Sequence, residues 1–383
     1  MEIKLHDAQS VNQIQWEKKR EGEYIRDYFL PMFKDGIEAY IQNVQTSLYL
    51  LEIGDLVLPI TVNEQEFENS YVCSPYTHYI SYAKEELWEL KSPILERVLG
   101  KVIDGLGAVL KKSNLNRVVI VNNWFLSTNL HFPLTEEQIK EITKFLSGKF
   151  PTHIILFRSL NKRMHRNMIL AMRQQKYELV MSRSIYILNP EHFKQRSRKQ
   201  RKDYLSDKSL MKKSVYEVRK PKGNEGELAS TIDKLYRALY IDKYSENNPQ
   251  FTEAYYKNAL ANKLLEFQLL QNPVGEYGGV IGYFHRENIL TTPILGYDMD
   301  KDIERGLYRL LSLLITDTVL ENGFLGHFSA GAGEFKRNRG AEQEMEYSAV
   351  YMEHLPKKDR LAWKFIKSIM SGVVEPLALK KGF

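Results

Sequence analysis

The segment GAGEFKRNRG, residues 331–340, carries residue types that suit a phosphate-bearing ligand. Gly331 and Gly333 are small, so a ligand can approach the backbone closely. Lys336 and Arg339 lie a few residues on, and their cations can neutralise phosphate charge. The segment therefore predicts an anion-binding loop. The alternative is a surface turn with solvated cations.

Three side chains in or near this segment are candidates for accepting a proton in catalysis. Glu334 lies within the segment, His327 shortly before it, and Asp298 at the end of an apolar run. Each can act as a base only if its surroundings set its pKa suitably. Each also has a structural interpretation: a loop charge for Glu334, a helix-flanking cap for Asp298, and a hydrogen-bonded core residue for His327.

A second feature is the dense positive charge of residues 194–222. This segment contains twelve Lys or Arg residues and three Asp or Glu residues, so its local charge is +9. The net charge of the whole chain is +6. The remainder is therefore about −3. A cationic segment of this density favours a polyanion, either a phosphate-bearing cofactor or RNA. The alternative is a solvated helix face.

Composition and length exclude several classes of protein. A chain of 383 residues is long enough for two domains, and 43% hydrophobic with 27% charged residues is typical of globular proteins. The start, MEIKLHDAQS, lacks a signal-peptide pattern, and no apolar run approaches the roughly 18 residues of a membrane helix. We expect a cytoplasmic protein without membrane insertion.

Metal-dependent and nucleotide-binding classes have little support. Cys73 is the only cysteine, which excludes an intramolecular disulfide and a multi-thiolate zinc site. The sequence contains no HExxH, P-loop or clean GxGxxG motif. The acidic segment from Asp298 begins like an EF-hand loop, but Ile303 and Arg309 stand where Gly and Glu are needed. No metal site is predicted.

The second half contains the elements that would position these residues. Apolar and β-rich runs predict three consecutive strands at 263–271, 278–286 and 288–298, a helix at 306–322 that ends at Gly323 as its C′ glycine, and a strand at 324–331. That order describes an antiparallel meander joined to a parallel crossover. The basic segment before it is predicted to be largely helical.

The first half predicts a mixed α/β arrangement. Residues 47–62 form a hairpin hinged near Gly54, residues 134–146 a helix capped by Thr135, and residues 177–188 a strand. Breaks in the pattern near residue 190 predict two domains.

The predicted domains are residues 1–189 and 190–383. The two halves also contain a similar order of elements, which indicates a duplication. Residues 97–127 and 305–333 each predict an apolar helix, a polar stop, a strand and a small-residue loop.

Three features together resemble the FemAB-like branch of the Gcn5-related N-acyltransferase superfamily, the branch that includes acetyltransferases of polysaccharide biosynthesis. They are the Lys/Arg-rich segment 196–220, the strand pair and helix of 278–324, and FSAGAGEFKRNRGA at 328–341 with Phe335 and Lys336 in the aromatic and lysine positions. The resemblance implies an α/β (α+β) acyl-CoA N-acyltransferase fold. In that fold a mixed central sheet is flanked by helices.

The resemblance also implies two tandem domains and a direct attack of an amine on an activated acyl group. The first domain would be a degenerate copy that binds the acceptor. The acyl group would come from acyl-CoA, such as acetyl-CoA, and go to an amine of a sugar or other small metabolite. Tyr297, at the strand end beside Gly296, would protonate the departing thiolate or bind substrate. Arg305 and Gly306, at the start of the next helix, would bind pyrophosphate.

The chain departs from the family pattern at the phosphate loop. Its sequence there is DMDKDIERGLYR, in which four carboxylates outnumber Lys301 and Arg305. Carboxylates repel a diphosphate. The resemblance then favours Lys336 as the cation that the loop lacks.

Other functions stay open at this point. FemAB-like proteins also imply an aminoacyl-tRNA donor with a cell-wall precursor or peptide as acceptor, and the basic segment would then hold the RNA backbone. The chain lacks the coiled-coil insertion of some tRNA-using relatives, which favours acyl-CoA. A non-catalytic RNA-binding module is the third reading. An α/β-hydrolase at Ser329 is disfavoured, because His327 occupies a position that needs a small residue.

Overall fold

A computed structural model describes residues 2–85, 93–222 and 225–381. The strands are β1 Ile3–His6, β2 Ser47–Ile53, β3 Leu56–Asn63, β4 Val118–Val121, β5 Ile154–Asn161, β6 Glu178–Leu188, β7 Glu217–Arg219, β8 Glu266–Gln271, β9 Tyr277–Arg286, β10 Ile289–Tyr297, β11 Leu325–His327 and β12 Glu342–Tyr351. The helices are α1 Gly22–Asp35, α2 Tyr82–Glu85, α3 Pro93–Leu110, α4 Glu136–Lys149, α5 Arg166–Gln174, α6 Pro190–Lys194, α7 Arg198–Lys213, α8 Leu228–Arg237, α9 Glu253–Ala261, α10 Met299–Arg305, α11 Leu307–Asn322, α12 Gly333–Arg337, α13 Lys357–Ile369 and α14 Glu375–Lys381.

Twelve strands of the described residues form one sheet, in the order β1-β2-β3-β4-β5-β12-β6-β11-β10-β9-β8-β7. The order reads alike from both ends: β1 to β5 mirror β7 to β11, and β4 and β10 are each parallel to the following strand. The other neighbouring pairs are antiparallel. The predicted α/β class, with a mixed central sheet flanked by helices, is confirmed.

The centre of the sheet is made by an exchange of strands between the halves. β12, from the end of the chain, lies between β5 and β6, while β6 pairs on its other side with β11. The predicted boundary at residue 190 falls just after β6. The division into two domains stays a prediction, and both halves share this sheet.

Several local predictions are confirmed. Strands β8, β9 and β10 form the meander, and α11 leads to β11, which is parallel to β10. Thr135 caps α4 and forms a capping box with Gln138. Gly323 ends α11 in the left-handed conformation with φ 73°. These features depend on neighbouring residues, which explains why the pattern predicted them.

Three boundaries differ from prediction. The strand expected at 324–331 ends at His327, because the chain turns away with positive φ at Ser329, Gly331 and Ala332. The segment after it, predicted as a loop, contains the short helix α12. A further helix, α10, precedes α11.

The predicted correspondence between the two halves is shifted by one helix and one strand. It paired α3 and β4 with α11 and β11, but in the mirrored sheet β11 corresponds to β5. The segment equivalent to α11 and β11 is therefore α4 and β5. An amphipathic helix before a strand occurs at both places in the first half, and this pattern alone does not distinguish them.

Gly296 of β10 allows α8 to pack directly on the sheet. A Cβ atom at Gly296 would lie 2.4 Å from the carbonyl carbon and oxygen of Leu235. Because these are backbone atoms, they cannot move aside as a side chain does. We expect Gly296→Ala to lower the free energy of unfolding by about 2 kcal/mol in urea titrations.

Gly148 of α4 provides the matched control, since a Cβ atom there would meet no atom within 4 Å. Alanine in a helix is favoured over glycine by about 0.5–1 kcal/mol, so Gly148→Ala should be neutral or stabilising. Equal effects at the two positions would contradict the close approach of α8 to β10.

Candidate functional site

A cavity of about 920 Å³ lies beside the centre of the sheet. One wall is β6, from Met181 to Ser184 with Tyr186, and a second is the loop from Ala330 to Arg339 apart from Lys336. The third wall is apolar and comes from α3, the π-helical turn at residues 77–81, and α13 to α14. The cavity thus has a polar side near the exchanged strands and an apolar side beneath the helices. Its size suits a small organic ligand.

A buried ion pair lies behind the polar wall. The Nε atom of Arg183 donates to Glu346 Oε1 at 2.8 Å, and its Nη2 atom donates to the carbonyl oxygen of Ser127 at 2.7 Å. Arg183 lines the cavity, whereas Glu346 is 2% exposed. The carboxylate therefore holds the guanidinium at the cavity wall.

The protonation states of this pair follow from burial and proximity. Burial alone would raise the pKa of Glu346, but Arg183 and then His327 outweigh it and lower that pKa to about 2. Burial would lower the pKa of Arg183, but Glu346 raises it above the ordinary value. Both groups are charged at neutral pH.

His327, predicted as a base, lies on the far side of Glu346. Its Nε2 atom is 3.6 Å from Glu346 Oε2, and the backbone N–H of Ser329 donates to its Nδ1 atom at 3.2 Å. A neutral ring that accepts at Nδ1 carries its proton on Nε2, which faces the carboxylate. His327 is 1% exposed and is not among the cavity-lining residues. The geometry suits a residue that positions Glu346, and the catalytic role stays a prediction.

Lys336 anchors the loop from beneath. Its Nζ atom donates to the carbonyl oxygens of Phe328 and Ala330 at 2.6 and 2.7 Å, and lies 5.6 Å from the centre of the Tyr186 ring. Burial of the ammonium and then the positive charge of Arg183 lower the pKa of Lys336 to about 7. Two donated hydrogen bonds hold the ammonium against the loop backbone, so the predicted contact with phosphate would require it to turn outward.

The lowered pKa of Lys336 predicts a pH-dependent stability. Between about pH 7 and the ordinary lysine value of 10.5, the unfolded chain holds a proton that the folded chain has lost. Stability relative to Lys336→Met should therefore rise with pH in that window. The rise is at most roughly 1.4 kcal/mol per pH unit, which is the limit for one proton.

Urea unfolding at about pH 7 and about pH 9 measures this difference. Lys364→Met, on the exposed face of α13, is the control and should give a difference that is flat with pH. A flat difference for Lys336→Met as well would show that the ammonium has its ordinary pKa.

Other predicted residues lie at the cavity rim. Gly331, Gly333 and Glu334 line the opening, and the Glu334 side chain is exposed. Gly331 has φ 74°, and a Cβ atom there would meet nothing within 4 Å. Of the three predicted bases, Glu334 is the one placed at the cavity.

Asp298 and Tyr297 are not among the cavity-lining residues. Asp298 caps α10 by accepting from the N–H of Lys301, which matches its structural interpretation. Tyr297 is 6% exposed, and burial raises its pKa to about 12. Its ring lies 5.8 Å from that of Tyr308, which lies 4.7 Å from that of Phe335 in the cavity wall. The catalytic roles of Asp298 and Tyr297 stay predictions.

The start of α11, expected to face pyrophosphate, is already bound to a carboxylate. The N–H of Tyr308 donates to Asp302 Oδ1 at 2.8 Å. Gly306 has φ 64°, and a Cβ atom there would lie 2.9 Å from Leu210 of α7. Arg305 is exposed at the end of α10. The carboxylate of Asp302 therefore occupies the helix terminus at which pyrophosphate is expected, and the role of Arg305 and Gly306 stays a prediction.

Arg339 forms an ion pair with a buried carboxylate, and its contact with phosphate stays a prediction. Its Nε atom donates to Asp207 Oδ2 at 2.5 Å, while Arg309 of α11 donates to Asp207 Oδ1 at 2.7 Å. Asp207 is 1% exposed. This buried carboxylate fastens α7 to both α11 and the cavity loop. Gln200 of α7 adds a hydrogen bond of 2.7 Å to the carbonyl oxygen of Arg337.

The basic segment forms α6, α7 and β7 and presents most of its charge to solvent. Three of its twelve cations are engaged by neighbours: Arg196 stacks on Phe193, Lys208 pairs with Asp317, and Arg219 pairs with Glu225. Nine are exposed and form no ion pair with a described carboxylate: Lys194, Arg198, Lys199, Arg201, Lys202, Lys212, Lys213, Lys220 and Lys222. We call these nine residues the basic face.

Sequence reasoning missed the polar residues of β6 and their partner. Ser182, Arg183 and Ser184 interrupt an otherwise apolar strand, and this run was the available signal. His78 also escaped notice; its Nε2 atom is 2.8 Å from Ser182 Oγ. Burial, then Arg158 and Arg183, lower its pKa to about 3, so its imidazole is neutral. Glu346, in a strand remote in sequence, carried no local signal.

No family model and no curated protein matches the chain. Among solved structures, L-PGS from Bacillus licheniformis aligns at 12% identity and a TM-score of 0.45, over 61% of this chain and 78% of the other. FemX aligns at 8% and 0.43, over 61% and 80%. A GCN5-related N-acetyltransferase from Kribbella flavida aligns at 11% and 0.32, over 63% and 83%.

Two of these structures are of the kinds that the sequence resembles. FemX and a GCN5-related acetyltransferase are both among the structures that align. With TM-scores below 0.5, these alignments carry no argument about activity. Among the described residues, none of the helices combines the length and apolarity needed to cross a membrane.

Proposed function

We propose that this chain is an acyltransferase that moves an acyl group from an activated, anionic carrier to an amine within the cavity. The observation that carries the proposal is the position of the basic face. Its helix α7 is fastened to the cavity loop through Gln200 and Asp207, so a polyanion bound on α7 would place its attached acyl group at the cavity rim.

The reaction needs two contributions from side chains of the protein, a proton acceptor and a hydrogen-bond donor for the oxyanion. Glu334 at the rim takes the proton of the attacking amine. Arg183, held by Glu346, donates hydrogen bonds to the oxyanion that forms as the new C–N bond is made. The bond between carbonyl carbon and carrier then breaks, and the proton leaves with the carrier. Neither role needs Lys336 to move.

The donor that these features favour is aminoacyl-tRNA, the alternative raised by the sequence. Nine exposed cations exceed what one diphosphate needs, and they suit a nucleic-acid backbone. In addition, Asp302 occupies the helix terminus expected for the pyrophosphate of CoA. A negative carboxylate there disfavours a second anion.

Acyl-CoA, the donor favoured by the sequence, is the second candidate. Gly331 leaves the loop backbone open, and Gly333 and Arg337 line the cavity next to it. The pyrophosphate of CoA would then bind at this loop instead of at the start of α11. The acceptor would be the amine of a sugar, peptide or other small metabolite in either case.

A direct comparison of donors tests the proposal. Purified protein is mixed with radiolabelled aminoacyl-tRNA or acetyl-CoA and a panel of amines, and label transfer is measured. A thermal-shift series with CoA, repeated with Lys336→Ala, reports the second candidate, because a ligand at 100 times its Kd stabilises by roughly 2.7 kcal/mol. Transfer from either donor identifies the carrier. Binding of neither donor and transfer from neither would overturn the proposal.

A further inference from the structure

The last two helices carry apolar side chains on both sides. Trp363 and Ile366 of α13 are buried against the sheet, with 0% and 4% exposure. Five other large apolar residues are exposed: Leu361 and Phe365 of α13, Val373 of the turn that joins the two helices, and Leu377 and Leu379 of α14, with exposures of 64, 43, 54, 44 and 61%. A group of this kind on a folded surface marks an interaction site.

The same surface is positively charged. Lys357, Lys358, Lys364 and Lys380 are exposed on these helices. The nearby carboxylates point elsewhere: Asp359 accepts from Asn114 at 2.9 Å, and Glu375 accepts from the hydroxyl of Tyr347 at 2.6 Å. We call these four lysines and the five exposed apolar residues the C-terminal face.

Apolar and cationic residues alternate along this face. Lys357, Leu361, Lys364, Phe365 and Ser368 follow one another at helical spacing on the outer side of α13. Interfacial helices that lie on lipid bilayers have this composition, because the apolar groups enter the acyl boundary while lysines bind headgroup phosphates. A second copy of the chain would bring like-charged lysines together, which disfavours self-association.

We propose that the C-terminal face docks on the surface of an anionic lipid bilayer. The docked protein lies on the membrane and does not span it. Phe365, Ile369 and Val374 also line the cavity, so docking places the apolar side of the cavity next to the lipid surface. The proposal stands on the exposed face and is independent of which acyl donor the chain uses.

Vesicle flotation tests the proposal. The protein is mixed with neutral phosphatidylcholine vesicles, or with vesicles in which about a third of the lipid is phosphatidylglycerol. We expect flotation with the anionic vesicles and weaker binding as salt screens the lysines. Leu361→Ser combined with Leu377→Ser should weaken binding at least roughly tenfold by removing two apolar anchors. Because both side chains are exposed, the fold is retained.

Two controls locate the binding surface. Val274→Ser replaces an apolar residue that is 80% exposed outside the C-terminal face and should change nothing. A variant with Arg198, Lys199, Arg201 and Lys202 of α7 replaced by serine should float like the wild type. The proposal is overturned if the wild type ignores anionic vesicles, or if flotation follows the α7 charges. It is also overturned if light scattering shows a dimer that the Leu361/Leu377 variant loses.

Discussion

Glu346→Gln is expected to lower the free energy of unfolding by about 3–5 kcal/mol, because it leaves the Arg183 guanidinium without its counter-charge. Glu346 is 2% exposed and Arg183 donates to both of its oxygens, at 2.8 and 3.4 Å. A glutamine has nearly the same shape and removes only the charge and an acceptor. Urea titration of wild type and variant at neutral pH measures the effect.

The same pair predicts how stability changes in acid. The pKa of Glu346 is lowered to about 2 in the folded chain, from an ordinary value of 4.5. Its contribution is therefore fully present above about pH 4.5 and is lost as the pH falls towards 2. The variant lacks this group, so the gap in stability between wild type and Glu346→Gln should close over that window.

Two controls separate the buried charge from other effects. Glu178→Gln removes the partner of Lys367 in a more exposed pair of β6 and α13, and should cost less than about 1 kcal/mol. Arg183→Met combined with Glu346→Leu replaces both charges by apolar groups and should recover much of the loss. A Glu346→Gln cost as small as that of Glu178→Gln would show that Arg183 is well solvated.

Removing charge from the basic face is expected to abolish most binding of aminoacyl-tRNA. Replacing Arg198, Lys199, Arg201 and Lys202 by serine takes four cations from one end of α7 and leaves the Ser197 cap and Asp207 in place. Affinity should fall at least roughly a hundredfold at about 0.1 M salt. The slope of log affinity against log salt should become shallower by about 3, because fewer counterions are released.

Filter binding over a range of salt concentrations measures both quantities. The matched control replaces four exposed lysines elsewhere by serine: Lys112, Lys140, Lys144 and Lys149. It makes the same change in net charge and should leave the salt slope nearly unchanged. Equal losses in the two variants would mean that net charge, and not the basic face, holds the RNA. An unchanged affinity in the α7 variant would contradict the proposal that the basic face binds aminoacyl-tRNA.

The candidate site was only partly predictable. The loop at 331–340 was found because its small and cationic residues are contiguous, and Glu334, Gly331 and Gly333 do lie at the cavity. Arg183 and Glu346 were not found, since 163 residues separate them and neither motif nor spacing links them. The ion pair of Arg339 with Asp207 also joins residues 132 apart, so the sequence gives no sign of it.

What the sequence by itself determined is the local structure: the meander, the helix that follows it, and the caps at Thr135 and Gly323. These depend on side-chain periodicity and on hydrogen bonds within a few residues, which can be read along the chain. Only the tertiary structure decided the exchange of β6 and β12, and with it which charges meet at the centre of the sheet. The physical reason is that strand pairing and ion pairing join distant residues, so burial and partner choice are set by the assembled sheet.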